Sequence, residues 1–466
     1  MKFVYQQTFL GIVGAIMGAA IVMSGCGGVE RGAADGRLNL IIISLDTLRA
    51  DHLGAYQYPR NTSPNIDRFA RESTVFTHSF ANSNWTLPSH MSLMTSLYPG
   101  EHDVVNKTNR LSPRITTLAQ VMKREGYLTA AFTAGYFVDK KFGFDRGFDV
   151  YHQSYDFERR NTGQGWRLEH LEKDLFSWLD SHGKEEFFLF IHSYDVHEPF
   201  IAHRYIEEFN PVYDGWATHL DNMDRFKASP EYKEYVEREE PRYFNINLFY
   251  RKVINEGLVD LTDADREHLV ALYDNEVRYA DEYFGRIRKK LEDLGLWENT
   301  VVVLLSDHGE ELFERGGIRH GGRLLHDEVL RVPLVIRIPG AVPRVTPELV
   351  QGIDVAPTVL DVLGIAPESS FAGKALLGGG AANAYVIAQG KDCECIRTDT
   401  WKLSFRRDGR LIELFDLEKD PGESFNQVMD LPDKVTELTP MLNEALNRMV
   451  TDEEMRRQLE ALGYLD

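Results

Sequence analysis

Residues 38–45 read LNLIIISL, an almost unbroken run of apolar and β-branched side chains. A strand covered on both faces has this composition, because neither of its alternating faces reaches water. Comparable runs recur at 127–133, 187–193, 300–305 and 332–338. Between them the apolar spacing lengthens toward a helical period. Residues 113–125 form one such segment and 264–294 a longer one, in which Leu269, Leu272, Tyr273, Val277, Ala280, Phe284, Ile287 and Leu291 share a stripe. Strands alternating with helices over this length predict an α/β fold around a large, mostly parallel sheet covered on both sides. In such sheets chemistry collects at the carboxyl ends of the strands.

Two of these strand ends carry metal-type side chains. The first strand is followed by Asp46, and the strand at 300–305 by Ser306-Asp307-His308-Gly309-Glu310. Burying a carboxylate there is costly unless it is paired or metal-bound. Either aspartate by itself reads equally well as a cap or turn residue; two together, with His308 as a nitrogen donor, point to ligation. A third element spans 84–95, where Pro88 suits the first turn of a helix and sets Thr86 just before its N-terminus. Free amides and the positive end of the helix dipole favour an anion and an acidified hydroxyl there. An ordinary threonine cap is the alternative.

Charge and cysteine content narrow the classes. The 466 residues hold 52 Lys and Arg against 72 Asp and Glu, a net charge of −20, which argues against nucleic acid as a partner. With 43% hydrophobic and 27% charged residues the chain is globular. Its three cysteines cannot make a disulfide framework, and Cys393 with Cys395 lacks nearby histidines, a weak metal signal. At the N-terminus, Lys2, an apolar run at 9–23 and Met23-Ser24-Gly25-Cys26 resemble a bacterial lipoprotein signal peptide. That resemblance implies a leader at 1–25, a lipidated Cys26 holding the protein at a membrane surface, a tether at 26–37, and a place in the periplasm or on the cell surface. An uncleaved N-terminal anchor is the alternative, and both put the body outside the cytoplasm.

Four motifs in order bring a family into view: Asp46-Thr47-Leu48-Arg49-Ala50-Asp51-His52-Leu53-Gly54, then Thr86-Leu87-Pro88-Ser89-His90, then Phe142-Gly143-Phe144-Asp145-Arg146-Gly147-Phe148-Asp149, and Ser306-Asp307-His308-Gly309-Glu310. The chain resembles the sulfatases of the alkaline-phosphatase superfamily from about residue 38 to 413–423. The resemblance implies an α/β/α sandwich over 38–383 and a small antiparallel subdomain with a terminal helix over 384–466. It makes Asp46, Asp307 and His308 ligands of one divalent metal ion, with Thr86 as the nucleophile that also touches the metal. His197 matches a histidine that binds the transferred group or protonates the leaving oxygen. His320 falls near the second basic contact, with His326 its rival.

The chain departs from the family at the nucleophile. Sulfatases carry Cys or Ser there and convert it to formylglycine, whereas Thr86 cannot give that aldehyde. Related phosphodiesterases and phosphoethanolamine transferases resemble this chain in using threonine. His90 in place of the family's arginine also removes a cation beside the nucleophile. No histidine follows His326, which disfavours a two-zinc site. An imidazole ligand moves preference toward manganese, iron or zinc, with calcium still open. The expectation is a metal-dependent hydrolase acting through Thr86 on a singly charged anionic ester: a sulfate ester, phosphodiester or phosphonate ester of a glycan or lipid head group. A phosphodiesterase or transferase without sulfatase activity and a noncatalytic glycan-binding surface lipoprotein are the alternatives. Residues 203–256, rich in Tyr, Phe, Glu and Arg without a clear period, form a candidate lid insertion.

Overall fold

The computed structural model describes residues 37–154, 167–200, 204–219, 228, 230, 233–234, 254–255, 259–322, 325–377, 382–406 and 412–446. The leader, Cys26 and nearly all of the tether lie outside these residues, as does most of the candidate lid. Its described portion at 204–219 packs against the long helix Asp263–Asp293, where Tyr213 stacks on His268 at 3.9 Å.

Among the described residues ten strands precede residue 352: β1 (Asn39–Leu45), β2 (Thr74–Phe80), β3 (Leu128–Ala134), β4 (Val150–Ser154), β5 (Phe187–Ser193), β6 (Thr300–Leu305), β7 (Glu311–Leu312), β8 (Ile318–Arg319), β9 (Leu334–Arg337) and β10 (Arg344–Gln351). Eight form one sheet in the order β10-β2-β9-β6-β1-β5-β3-β4, while β7 and β8 make a small ribbon. Only β9 runs antiparallel to its neighbours in the large sheet.

Alternation within apolar runs builds both layers of core. Along β1, Leu40 and Ile42 enter one cluster and Ile41, Ile43 and Leu45 the other. β5 does the same with Phe188 and Phe190 against Leu189 and Ile191. Helices Leu168–His182 and Asp263–Asp293 cover one face through Leu171, Leu175, Leu269, Leu272 and Phe284. Helices Thr86–Thr95, Leu118–Arg124 and Val355–Leu363 cover the other through Met91, Met122 and Val359. Each such side chain contributes about 1.5–3 kcal/mol on full burial.

The helix expected at 113–125 forms only from Leu118. Thr117 Oγ1 accepts from Gln120 N–H at 3.2 Å, while Gln120 Oε1 accepts from Thr117 N–H at 3.1 Å. This reciprocal cap fixes the start and leaves 113–116 as turn. The strand expected at 332–338 narrows to β9.

The C-terminal part is an antiparallel sheet of β11 (Val386–Gln389), β12 (Cys393–Arg397), β13 (Trp401–Arg406) and β14 (Ile412–Asp416). Helix Pro432–Ala445 buries Val435, Leu438 and Leu442 against Ile396, Leu403 and Leu414. Cys393 and Cys395 are buried in an apolar cluster with Leu330 and Val332. Among the described residues no helix is long and apolar enough to cross a membrane.

Candidate active site

Because β1 pairs in parallel with both β6 and β5, all three chains leave the sheet at one end. Asp46 N–H continues the ladder to Ser193 O at 3.0 Å, after which Thr47 turns sharply with φ +58°. That turn is held by Leu48 N–H donating to Ser306 Oγ at 3.0 Å, which ties the end of β1 to the end of β6. The two motifs, more than 250 residues apart in sequence, are thereby locked side by side.

Their side chains converge. His308 Nε2 lies 3.3 Å from Asp307 Oδ2 and 3.8 Å from Asp46 Oδ1, and Thr86 Oγ1 lies 3.5 Å from the same nitrogen. His308 Nδ1 donates to Gly309 O at 2.9 Å, so Nε2 keeps its lone pair toward the cluster. Thr86 opens the helix Thr86–Thr95 after an extended Trp85, and Ser89 Oγ–H in the first turn donates to Asp307 O at 2.5 Å.

Asp46, Asp307 and His308 fit a cation. Each offers one atom within 4.8 Å of the others, and Asp46 Oδ1 and Asp307 Oδ2 are buried without a hydrogen-bond partner. Burial, then the negative charge of Asp307, pushes the Asp46 carboxyl well above the usual range. Burial also opposes ionisation of Asp307, but His308, His90 and His192 outweigh it and hold that carboxyl low. Two buried carboxylates this close need about two positive charges, which one divalent ion supplies.

Two further histidines border this cluster. His197 Nδ1 donates to Glu198 O at 2.5 Å, and its ring lies 4.9 Å from that of His320. The His320 ring is 4.6 Å from that of His308, and its Nδ1 is 2.8 Å from Glu310 Oε2. His326 lies elsewhere, its ring 5.7 Å from Phe415 and its pKa pushed down to about 3 by burial and then by Lys402 and Arg315.

His192 and Tyr194 are site neighbours that sequence reasoning missed. His192 Nε2 sits 3.2 Å from Asp46 Oδ2, and burial pushes its pKa down to about 4. A histidine in the otherwise apolar FFLFIHS run, in register with Ser44, was the available signal. His90 was read only as a missing arginine. Its imidazole is wholly buried, accepts from Ser44 Oγ–H at 2.9 Å through Nε2, donates from Nδ1 to Thr86 O at 3.0 Å, and lies 3.3 Å from Asp307 Oδ2. Burial pushes its pKa down to about 3, so the position is neutral near pH 7. Tyr194 closes over Gly135, where φ is +87° and a Cβ would stand 1.9 Å from the ring. Its hydroxyl pKa is raised by burial and then by Asp46, against hydrogen bonds with Thr86 and the Phe137 backbone.

With this geometry established, comparison with known proteins is informative. A family model described as sulfatase matches residues 38–365, and one described as N-sulphoglucosamine sulphohydrolase, C-terminal, matches 319–452. An ulvan-active sulfatase of Formosa agariphila is 24% identical over 353 residues, covering 71% of this chain; the chain spans 54% of that relative's length. A phosphonate monoester hydrolase of Agrobacterium radiobacter superposes with a TM-score of 0.68 at 21% identity, over 88% of this chain and 96% of that one. A structure solved in complex with its substrate D-glucosamine-2-N,6-O-disulfate gives a TM-score of 0.69 at 20% identity, over 91% of this chain and 99% of that one. At such identities the superpositions establish the fold, an alkaline-phosphatase-like sandwich, and the sequence model establishes the kinship. The chain belongs to the sulfatase family, whose members depend on a metal.

Proposed function

We propose that the protein is a metal-dependent hydrolase that cleaves a sulfate ester or a singly charged phosphodiester or phosphonate ester, with Thr86 as nucleophile. The observation that carries this is the meeting of the Thr86 hydroxyl with two buried carboxylates and His308 at one rim. A divalent ion held by Asp46, Asp307, His308 and Thr86 would supply positive charge that favours the ionised hydroxyl and the anionic ester.

The chain's own groups support the remaining steps. The Thr86 oxygen attacks sulfur or phosphorus, its proton passing to a nearby base, while the bond to the alcohol oxygen breaks. The N-terminus of the helix Thr86–Thr95 adds the positive end of its dipole beside the charge that builds up there. His197 and His320 each have Nδ1 engaged by an oxygen acceptor, so Nε2 is the nitrogen that exchanges a proton with the departing alcohol. Water then attacks the Thr86 ester, releasing sulfate from a sulfate ester, a phosphate monoester from a phosphodiester or a phosphonate from a phosphonate ester, and restoring the hydroxyl. Because Thr86 cannot provide an aldehyde hydrate, this second step needs attack at the central atom, which a phosphorus ester undergoes more readily. His90 and His192 are buried and neutral, so neither supplies a fixed cation for a doubly charged monoester, which favours a singly charged group. The relative sulfatases and the phosphonate monoester hydrolase fit the same reading.

The test is turnover of model sulfate esters, phosphodiesters and phosphonate monoesters across several divalent metals. Activity on at least one class, abolished by Thr86→Ala, is expected. Undiminished hydrolysis by Thr86→Ala would remove the covalent step, and hydrolysis of sulfate alone would reverse the preference for phosphorus esters.

A further inference from the structure

The small C-terminal sheet reaches two catalytic segments through its β11–β12 hairpin. Residues 82–85 lead from β2 into the helix that opens with Thr86, and the end of β11 is hydrogen-bonded to them. Gln389 N–H donates to Asn82 O at 2.9 Å, Ser83 Oγ–H to Gln389 O at 2.7 Å, and Asn82 Nδ2 to Ile387 O at 3.0 Å. The junction is a lattice of buried amides: Asn82, Gln351 and Gln389 are 0%, 4% and 3% exposed. Asn82 Nδ2 also donates to Gln351 Oε1 at 3.0 Å, Asn82 Oδ1 accepts from Ile353 N–H at 2.9 Å, and Gln389 Oε1 accepts from Gly100 N–H at 2.8 Å. Gln351 ends β10, so both sheets and the entry to the nucleophile meet there. Amides paired in this way hold one geometry, because displacement strands a donor or an acceptor in a dry interior.

The turn of the same hairpin grips the loop that carries His320. Gly322 O accepts from Asn84 Nδ2 at 3.4 Å, from Lys391 N–H at 3.3 Å and from Cys393 Sγ–H at 3.6 Å. The turn is closed by Gly390 N–H donating to Cys393 O at 2.9 Å. It has no space to spare, since a Cβ at Gly390 would stand 2.7 Å from Cys393 Sγ, 3.0 Å from Gly322 O and 3.1 Å from Asn84 Nδ2. The atoms that exclude a side chain are the ones that hold the loop.

We infer that the β11–β12 hairpin is a positioning element of the catalytic site. Gln389 holds the segment that enters Thr86, while Gly390, Asn84 and Cys393 hold the loop that presents His320, so the nucleophile and the proton-exchanging histidine keep one separation. A misplacement of about 1 Å at a reacting group can cost about a hundredfold in rate. The contacts stand by themselves, and their catalytic meaning rests on the hydrolase reading.

The test compares para-nitrophenyl with phenyl esters of sulfate, of phenylphosphonate and of methyl phosphate, using the full-length, metal-loaded protein. The para-nitrophenolate ion leaves without help, whereas the less acidic phenol takes a proton from His320. Gly390→Ala and Asn84→Ala should each lower kcat/KM for the phenyl ester of a hydrolysed pair by about tenfold or more, and for its para-nitrophenyl partner by less than about threefold. A protein that was only destabilised would lose both alike, and Asn84→Ala carries the comparison if Gly390→Ala does not fold. A second readout needs no turnover. Alkylation of Cys393 by iodoacetamide, followed by peptide mass spectrometry, should quicken at least about fivefold in Asn84→Ala, because the thiol lies under the released loop. Cys395, 1% exposed in the same strand, should change by less than about twofold. Equal losses on the two esters, or an unchanged Cys393 rate, would overturn the clamp. If the unaltered protein turned over none of these esters while the Cys393 rate rose, the hydrolase reading would fail and the hairpin's hold on the loop would stand.

Discussion

Thr86 is where the family's fold and a departure from its usual nucleophile meet. Its side chain is buried and touches His308, so removing the hydroxyl deletes the proposed nucleophile while changing little packing. Thr86→Ala should lower turnover by at least about a thousandfold and move stability by no more than about 1 kcal/mol, as read by steady-state kinetics and urea denaturation. His320 has a different signature. With Nδ1 2.8 Å from Glu310, its loss should reduce kcat by about 10²–10⁴ and delete one limb of the pH–rate profile. A His320→Ala protein with an unchanged profile would exclude it as the proton donor. The three candidate ligands Asp46, Asp307 and His308, and Thr86 with them, were legible in the sequence because each ends a strand or opens a helix within a motif. His192 and Tyr194 were not, since their roles depend on which strand lies beside β1, a fact that no local pattern contains.

At the scale of elements, the carboxyl-end loops are fixed by close approaches. Gly135 has φ +87° and lies under Tyr194. Gly135→Ala should therefore cost about 1–3 kcal/mol and lower kcat together, because it displaces Tyr194 from Thr86; a denaturation curve and a kinetic assay on one preparation would show both. Strands with continuous apolar runs, β1, β5 and β6, were predicted nearly to the residue. β2 (TVFTHSF) and β10 (RVTPELVQ) escaped notice because polar residues interrupt them, and β10 lies at the sheet edge with Val345 exposed to 71%. The over-long helix at 113–125 reflects a cap made by Thr117 and Gln120 that the apolar spacing concealed.

At the scale of the whole molecule, a buried ionic junction joins the small sheet to the sandwich. Lys402 Nζ, 1% exposed, lies 2.9 Å from Asp327 Oδ1 and 2.7 Å from Glu423 Oε1. Lys402→Met would remove the cation beside buried Glu423 and leave Asp327 with Arg397 alone, and should destabilise the fold by about 3–5 kcal/mol. Burial pushes the Glu423 pKa up to about 7, against the pull of Lys402. A raised pKa contributes stability that is complete below the unfolded value near 4.5 and is lost as pH rises through about 7. Glu423→Gln should flatten that part of the stability–pH curve. The same molecule-wide assembly brings Asp46 and Asp307 together, and metal content tests this most directly. After loading with manganese, iron or zinc and removal of free ion, the protein should retain about one divalent ion per chain, and the Asp46→Asn and Asp307→Asn variants almost none. Retention of the same amount by folded variants would contradict a metal centre at the ends of β1 and β6.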